Sequence, residues 1–176
     1  DTDRQRLADS GAHIAFCPSS NLFLGSGLFD WRAALRTGHA VSLASDVGGG
    51  THLSMLRTLA AAYQVQALRG ERLSAWCALH AATRGAAQAL QLDHEIGHLS
   101  PGTLADLAVW DWASGPVAAH RDAVAQTQSL HARVFAWMTL GDDRNLVASY
   151  VAGRPFNPST IRPDDPGESR TCFASN

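Results

Sequence analysis

Three stretches of the chain carry residue types that could do chemistry. The first, Asp93-His94-Glu95-Ile96-Gly97-His98, contains a literal His-Glu-x-x-His. On a helix, that spacing puts two imidazoles on one face to hold zinc, with the glutamate as general base. The surrounding residues argue against such a helix. Gly97 inside the motif costs about 1 kcal/mol relative to alanine, and Ser100-Pro101-Gly102 follows at once and stops helix growth. The nearest further carboxylates, Asp106 and Asp111, fall on or beside a predicted strand. The segment is therefore expected to be a polar helix-to-strand connection.

The second stretch is AVSLASDVGGG, residues 40–50. A short apolar strand delivers Asp46 into Gly48-Gly49-Gly50. Acidic residues at the C-terminal ends of buried parallel strands occupy the edge where α/β barrels do their chemistry. The glycines permit positive φ and close approach of the backbone to a ligand, which makes Gly48 a candidate substrate contact. On the functional reading Asp46 is a metal ligand and a catalytic proton shuttle. On the structural reading it is a loop or N-cap aspartate before a helix over 53–69, with Thr51 or Ser54 sharing that job. Local pattern leaves both open.

The third stretch, CPSSNLFLGSG, follows another predicted strand and is expected to be a loop over 18–27. Ser19, Ser20 and Asn21 could contact a polar ligand, Asn21 being the candidate substrate contact. Side-chain-to-backbone turn bonding accounts for them equally well. Phe23 and Leu24 are apolar loop residues and must pack against some neighbour. Among the histidines, His52 lies beside the glycine loop. His80 reads as a core histidine on an apolar stripe with Trp76 and Cys77, and His13 and His39 sit at strand starts, away from the expected chemistry. His120 and His131 read as surface or packing residues. Cys17 has no evident basic partner to lower its pKa, so it is not expected to act as a nucleophile.

The elements that must position these residues follow from periodicity. A helix capped by Thr2 or Asp3 runs to Gly11, a strand covers 12–17, a helix covers 29–37 and a strand covers 40–45. Leu53, Leu56, Ala60, Tyr63 and Ala67 mark a helix over 53–69, and Leu73, Trp76, Cys77, Ala81 and Ala87 mark one helix to Leu90. Strands over 104–112 and 145–154 flank a helix over 122–141, and a proline-rich tail closes the chain. The alternation of helix and strand in the first part points to a parallel α/β fold. The expected division is barrel-type residues 1–95, a small β-sandwich portion over 96–156 with an intervening helix, and an extended tail over 157–176. Two parallel strands cannot close a barrel, and the chain opens without Met, so an N-terminal portion is expected to be missing.

Composition narrows the function classes. The chain has 176 residues, 45% apolar and 17% charged, with a net charge of −2. That balance gives no support to nucleic-acid binding, and no apolar run approaches the roughly 18 residues of a membrane span. Cys17, Cys77 and Cys172 are far apart and form no C-x-x-C, so neither a disulfide framework nor a cysteine zinc knuckle is expected. A reducing, cytoplasmic setting follows.

Several of these segments together resemble the C-terminal half of guanine deaminases, within the amidohydrolase superfamily. The matching stretches are GAHIAFCPSSNLFLGSGLF (11–29), SLASDVGGGTHLSMLRTLAAAYQVQ (42–66), IGHLSPGTLADLAVWD (96–111) and MTLGDDRNLVASYVAGRPF (138–156). The resemblance implies a metal-dependent (β/α)8 barrel of the TIM type with a composite β-sandwich, usually one zinc ion with iron as the alternative, and a homodimer. It implies hydrolysis of guanine, a small-molecule purine, to xanthine and ammonia. Asp46 matches the family's metal-binding aspartate, which also takes a proton from the attacking water and passes it toward the leaving amine. The family's H-x-H pair, its other histidine ligands and its catalytic glutamate have no counterpart here, so the chain is expected to be inactive alone. Two alternatives stay open: a related aminohydrolase acting on another purine, a pterin or a triazine, and a non-catalytic half-barrel.

Overall fold

The computed structural model describes residues 2–156. In chain order the elements are α1 (Thr2–Asp9), β1 (Ile14–Phe16), α2 (Pro18–Leu24), α3 (Trp31–Arg36), β2 (Val41–Leu43), α4 (Met55–Leu68), α5 (Ala75–Ala82), α6 (Arg84–Ala89), β3 (Leu107–Trp110), α7 (Pro116–Gln126), α8 (Leu130–Leu140), β4 (Leu146–Val151) and β5 (Arg154–Pro155). β1 and β2 pair in parallel, with Ile14 opposite Val41 and Phe16 opposite Leu43. β3, β4 and β5 form a separate antiparallel sheet in that order. This is an α/β architecture. The expected tail over 157–176 lies outside the described residues.

Residues 18–27, expected to be a loop, begin instead with the helix α2. Pro18 at its first position has a φ already suited to a helix and lacks only an N–H that the helix would leave unpaired. Gly25 ends it at φ +70°, and the Ser26 amide donates to the Asn21 carbonyl at 2.9 Å. Left-handed glycine is a common way to satisfy the last helical carbonyls. The next helix, α3, is capped by Asp30, whose carboxylate accepts from the Ala33 amide at 2.7 Å and pairs with Arg69 of the segment after α4.

Two helices expected to be continuous are broken. The one predicted over 73–90 divides at Thr83 (φ −125°, ψ −99°), where α6 departs. The break lets Gly85 sit against the last turn of α5, where a Cβ would come 3.0 Å from the His80 carbonyl. The helix predicted over 122–141 becomes a hairpin. It starts earlier, at Pro116, and Ser129 caps the second arm by accepting from the Ala132 amide at 3.1 Å. The strand expected over 145–154 turns at Ala152-Gly153 and returns as β5, a third short strand in the second sheet.

Packing also corrects the predicted faces. α4 buries Leu56, Leu59, Ala62 and Val65, a stripe rotated from the expected one, while Leu53 is 77% exposed. On α5 the buried face is Ala75, Ala78 and Ala81; His80, Trp76 and Cys77, expected in the core, are exposed. Small side chains let a neighbouring helix approach closely, so the alanine face packs inward although the larger residues lie opposite. Val134 and Met138 of α8 join Phe16, Trp31 and Leu43 in the same core cluster as α4 and α5. The helical hairpin thereby ties the second sheet to the first.

Among the described residues, no helix is long and apolar enough to cross a membrane. Leu59 is 2% exposed at the centre of the core, so Leu59→Ala should lower unfolding free energy by about 3 kcal/mol. Leu53→Ala should change it by less than about 0.5 kcal/mol. Urea titrations of the two variants check both.

Candidate functional site

The parallel pair β1–β2 aims its C-terminal ends at one edge, where Cys17 and Asp46 emerge. The Ala44 amide donates to the Phe16 carbonyl at 3.1 Å, extending the ladder just past the strands and holding both exits at one level. Asp46 then turns to φ +48°, a left-handed conformation uncommon outside glycine. Its carbonyl accepts from the Gly50 amide, and the Gly48 amide donates to the Gly50 carbonyl at 3.2 Å. The five-residue loop therefore folds on itself, and the exposed side chain of Asp46 stands at its rim.

The three glycines have different reasons for being glycine. Gly48 has φ +116° and open space where a Cβ would be, so backbone conformation selects it. Gly50 sits so close to the Ser45 carbonyl that a Cβ would lie 1.8 Å from its oxygen. At Gly49 a Cβ would lie 2.7 Å from Ser20 Oγ, 3.0 Å from Asp46 Oδ2 and 3.4 Å from Leu24 Cδ1. Ser20 and Leu24 are one turn apart on α2, on a shared face. The tertiary structure thus joins the second and third sequence stretches at one point, with Gly49 between them. Gly49 had no separate signal in the sequence, because adjacent glycines look alike until their neighbours are known.

Asp46 is not the N-cap of α4. Ser54 occupies that position, and its side chain makes no capping bond. Asn21 is half-buried in α2, and its backbone serves the helix: the amide donates to the Cys17 carbonyl at 3.0 Å and the carbonyl accepts from Ser26. Burial pushes the Cys17 thiol up from its ordinary pKa, and the Asp46 carboxylate nearby adds to the effect. A thiol in that setting stays protonated and is a poor nucleophile.

The His-Glu-x-x-His segment forms turns, not a helix. His98 Nε2 lies 2.8 Å from the Asp93 carbonyl, and Gly97 adopts φ +90° while packing against Ala87. Asp106 accepts from the Ala152 amide at 2.7 Å and Asp111 from the Ala113 amide at 2.9 Å, so both carboxylates serve turns. Among the described residues, no three His, Cys, Asp or Glu side chains converge as a metal site. One carboxylate, Asp46, could supply a single ligand, and zinc wants three or four from protein.

A cavity of about 880 Å³ lies elsewhere, between α2, α4 and the connection from α8 to β4. Ser19, His52, Arg57 and Asp142 line it, and Asp46 does not. Ser19 Oγ and His52 Nδ1 are buried without a hydrogen-bond partner. At its rim, hydrogen bonds from the Arg144 side chain and amide hold the Asp142 carboxyl down at about 2, with the Arg57 charge adding a little.

Residues 1–155 match the amidohydrolase family, and the chain belongs to it. Within that family the chain is 44% identical to Escherichia coli guanine deaminase over 149 residues, covering 85% of this chain and 34% of that protein. It thus spans about a third of the length of that curated relative. The solved E. coli guanine deaminase superposes with a TM-score of 0.85 at 42% identity, over 89% of this chain and 36% of that one. An adenosine deaminase from Xanthomonas campestris with bound zinc superposes at 0.69 and 26% identity, over 88% of this chain and 34% of that one.

The Asp142 geometry makes a pH prediction. Its folded pKa lies below the ordinary 3.8, so its contribution to stability is present above that value and is lost as pH falls through about 2. Asp142→Asn should therefore weaken the protein at neutral pH and flatten the loss of stability between pH 4 and 2 expected of the unsubstituted chain. Thermal unfolding across that range checks it.

Proposed function

We propose that this chain contributes the carboxy-terminal third of a zinc-dependent guanine deaminase, converting guanine and water to xanthine and ammonia. The observation that carries the reading is Asp46. It is an exposed carboxylate at the C-terminal end of a parallel strand, at the edge where α/β barrels do their chemistry. The relationship to E. coli guanine deaminase supports guanine over the triazine or pterin alternatives. In the complete fold, β1 and β2 would be neighbouring strands of a (β/α)8 barrel, and β3–β5 part of the composite sandwich.

Zinc, when bound, supplies Lewis-acid activation that brings the pKa of water toward neutrality. The rest of the donor set would come from the remainder of the complete protein. Asp46 has two jobs in this reading: it supplies one ligand oxygen and holds a proton. Its carboxylate accepts a proton from the water that attacks the guanine C2 and returns it to the departing amine. The C2–O bond forms first and makes C2 tetrahedral; the returned proton then lets the C2–N bond break, and ammonia leaves. Gly48, exposed two residues after Asp46, and Asn21, next to Ser20, are proposed contacts for the purine. Phe23 and Leu53, 68% and 77% exposed, give the fold apolar surface that further polypeptide or a second copy would cover. The homodimer that the family resemblance implies would use part of that surface.

The full product of the reading frame that carries this chain, supplied with zinc, should form xanthine from guanine. Asp46→Asn should lower kcat by about a hundredfold or more, the scale of a lost proton-transfer group. The isolated 176-residue chain should form none with or without zinc. Xanthine formation by the isolated chain, or an Asp46→Asn enzyme with unchanged kcat, would overturn the proposal.

A further inference from the structure

Among the described residues, no ion pair or side-chain hydrogen bond holds the Asp46 carboxylate. Its direction has another source. Asp46 Oδ2 and Ser20 Oγ both lie over the face of Gly49 that a side chain would occupy, at 3.0 and 2.7 Å from an ideal Cβ, with Leu24 Cδ1 at 3.4 Å. Ser20 is 3% exposed and belongs to a helix that starts at Pro18, directly after β1. Gly49 is not among the glycines at positive φ. A side chain there would have to displace the Ser20 hydroxyl and the Asp46 carboxylate, so space and not backbone conformation sets it apart.

We propose that Gly49, Ser20 and Leu24 are positioning residues that form a steric seat for the Asp46 carboxylate. α2 presents Ser20 and Leu24, one turn apart. They lie against the bare face of Gly49, and the carboxylate occupies the remaining side of that face. A carboxylate that must serve as a ligand and also pass a proton has to point in one direction. At an edge with no partner to hydrogen-bond it, close packing supplies that restraint. This inference rests on the assignment of Asp46 as the reacting carboxylate.

The test uses the full-length zinc-loaded enzyme, with guanine as substrate and a chelator time course for zinc release. Gly49→Ala should lower kcat by about tenfold or more, because misplacement near 1 Å is costly, while KM stays within about twofold. Zinc should leave faster. Ser20→Ala alone should lower kcat by about threefold, as Leu24→Ala does, but added to Gly49→Ala it should recover part of the lost kcat, because it removes the hydroxyl 2.7 Å from the new methyl and lets that methyl move away from Asp46. A role in folding alone would lower the thermal midpoint without that recovery. If Gly49→Ala does not fold, Leu24→Ala carries the test. It should lower kcat by about threefold at unchanged thermal midpoint.

Unchanged kcat and zinc release in Gly49→Ala, or losses that multiply in the double variant, would overturn the seat. For Leu24→Ala the overturning result is unchanged kcat. Asp46→Asn separates the two ideas. An inactive Asp46→Asn with an unaffected Gly49→Ala removes the seat and leaves the functional reading standing. A fully active Asp46→Asn removes both.

Discussion

The parallel pairing of Ile14–Phe16 with Val41–Leu43 is the constraint on which the site depends. It is only three residues long, yet it sets two chain segments side by side, running the same way and leaving at the same edge. Parallel strands need a crossover connection, usually helical. Here α2 and α3 provide it, with Asp30 capping α3 and Arg69 reaching back from beyond α4 to bond Asp30 and the Leu28 carbonyl. Once the register is set, α2 starts directly after β1 and lies beside the loop that starts after β2. The contact of Ser20 with Gly49 is a consequence of that register.

The core that holds the pair in place is helical and built largely from small residues on one side. Ala75, Ala78 and Ala81 let α5 approach α4 and β2 closely, while Leu56, Leu59, Val65 and Met138 supply most of the bulk. A second set of interactions joins the hairpin α7–α8 to the antiparallel sheet. Asp122, 7% exposed, accepts from Arg133 and from Gln126, and the Arg133 guanidinium lies 4.6 Å from the centre of the Trp112 ring. Trp137 of α8 packs between Trp110 and Trp112 at 5.5 and 5.6 Å. Asn145 completes the join, donating to the Asp111 carbonyl at 2.7 Å. α8 therefore has two faces in use, one in the main core and one against the tryptophans.

The strands, the Asp46 loop and the turn character of Asp93–His98 were legible because their signals are local: short apolar runs, glycine and proline. The boundaries that failed are those decided by partners. α2 looks like a loop in sequence since Ser19, Ser20 and Asn21 favour turns, and only Pro18 and Gly25 hint at its ends. Thr83 carries no breaker signal, and α5 and α6 separate there because Gly85 and Gly97 pack into the corner. His80 looks apolar-faced beside Trp76 and Cys77, but three alanines on the opposite side make the closer helix contact.

What the sequence determined by itself was residue chemistry and local conformation. It put an aspartate at the end of an apolar strand, followed by glycines that free the backbone, and it made a zinc-binding helix at His94 and His98 untenable through Gly97 and Pro101. Its quoted motifs were enough to suggest the family to which the chain belongs. Only the tertiary structure decided what each glycine is for. Gly48, Gly49 and Gly50 are chemically identical, and their roles differ: Gly48 answers to its own backbone conformation, Gly50 to the neighbouring Ser45 carbonyl, and Gly49 to Ser20 and Leu24, which the fold brings to it from the distant helix α2. Helix faces were decided in the same way. Burial is a property of the neighbours, and a single periodic pattern does not say which of two adjacent stripes they will cover.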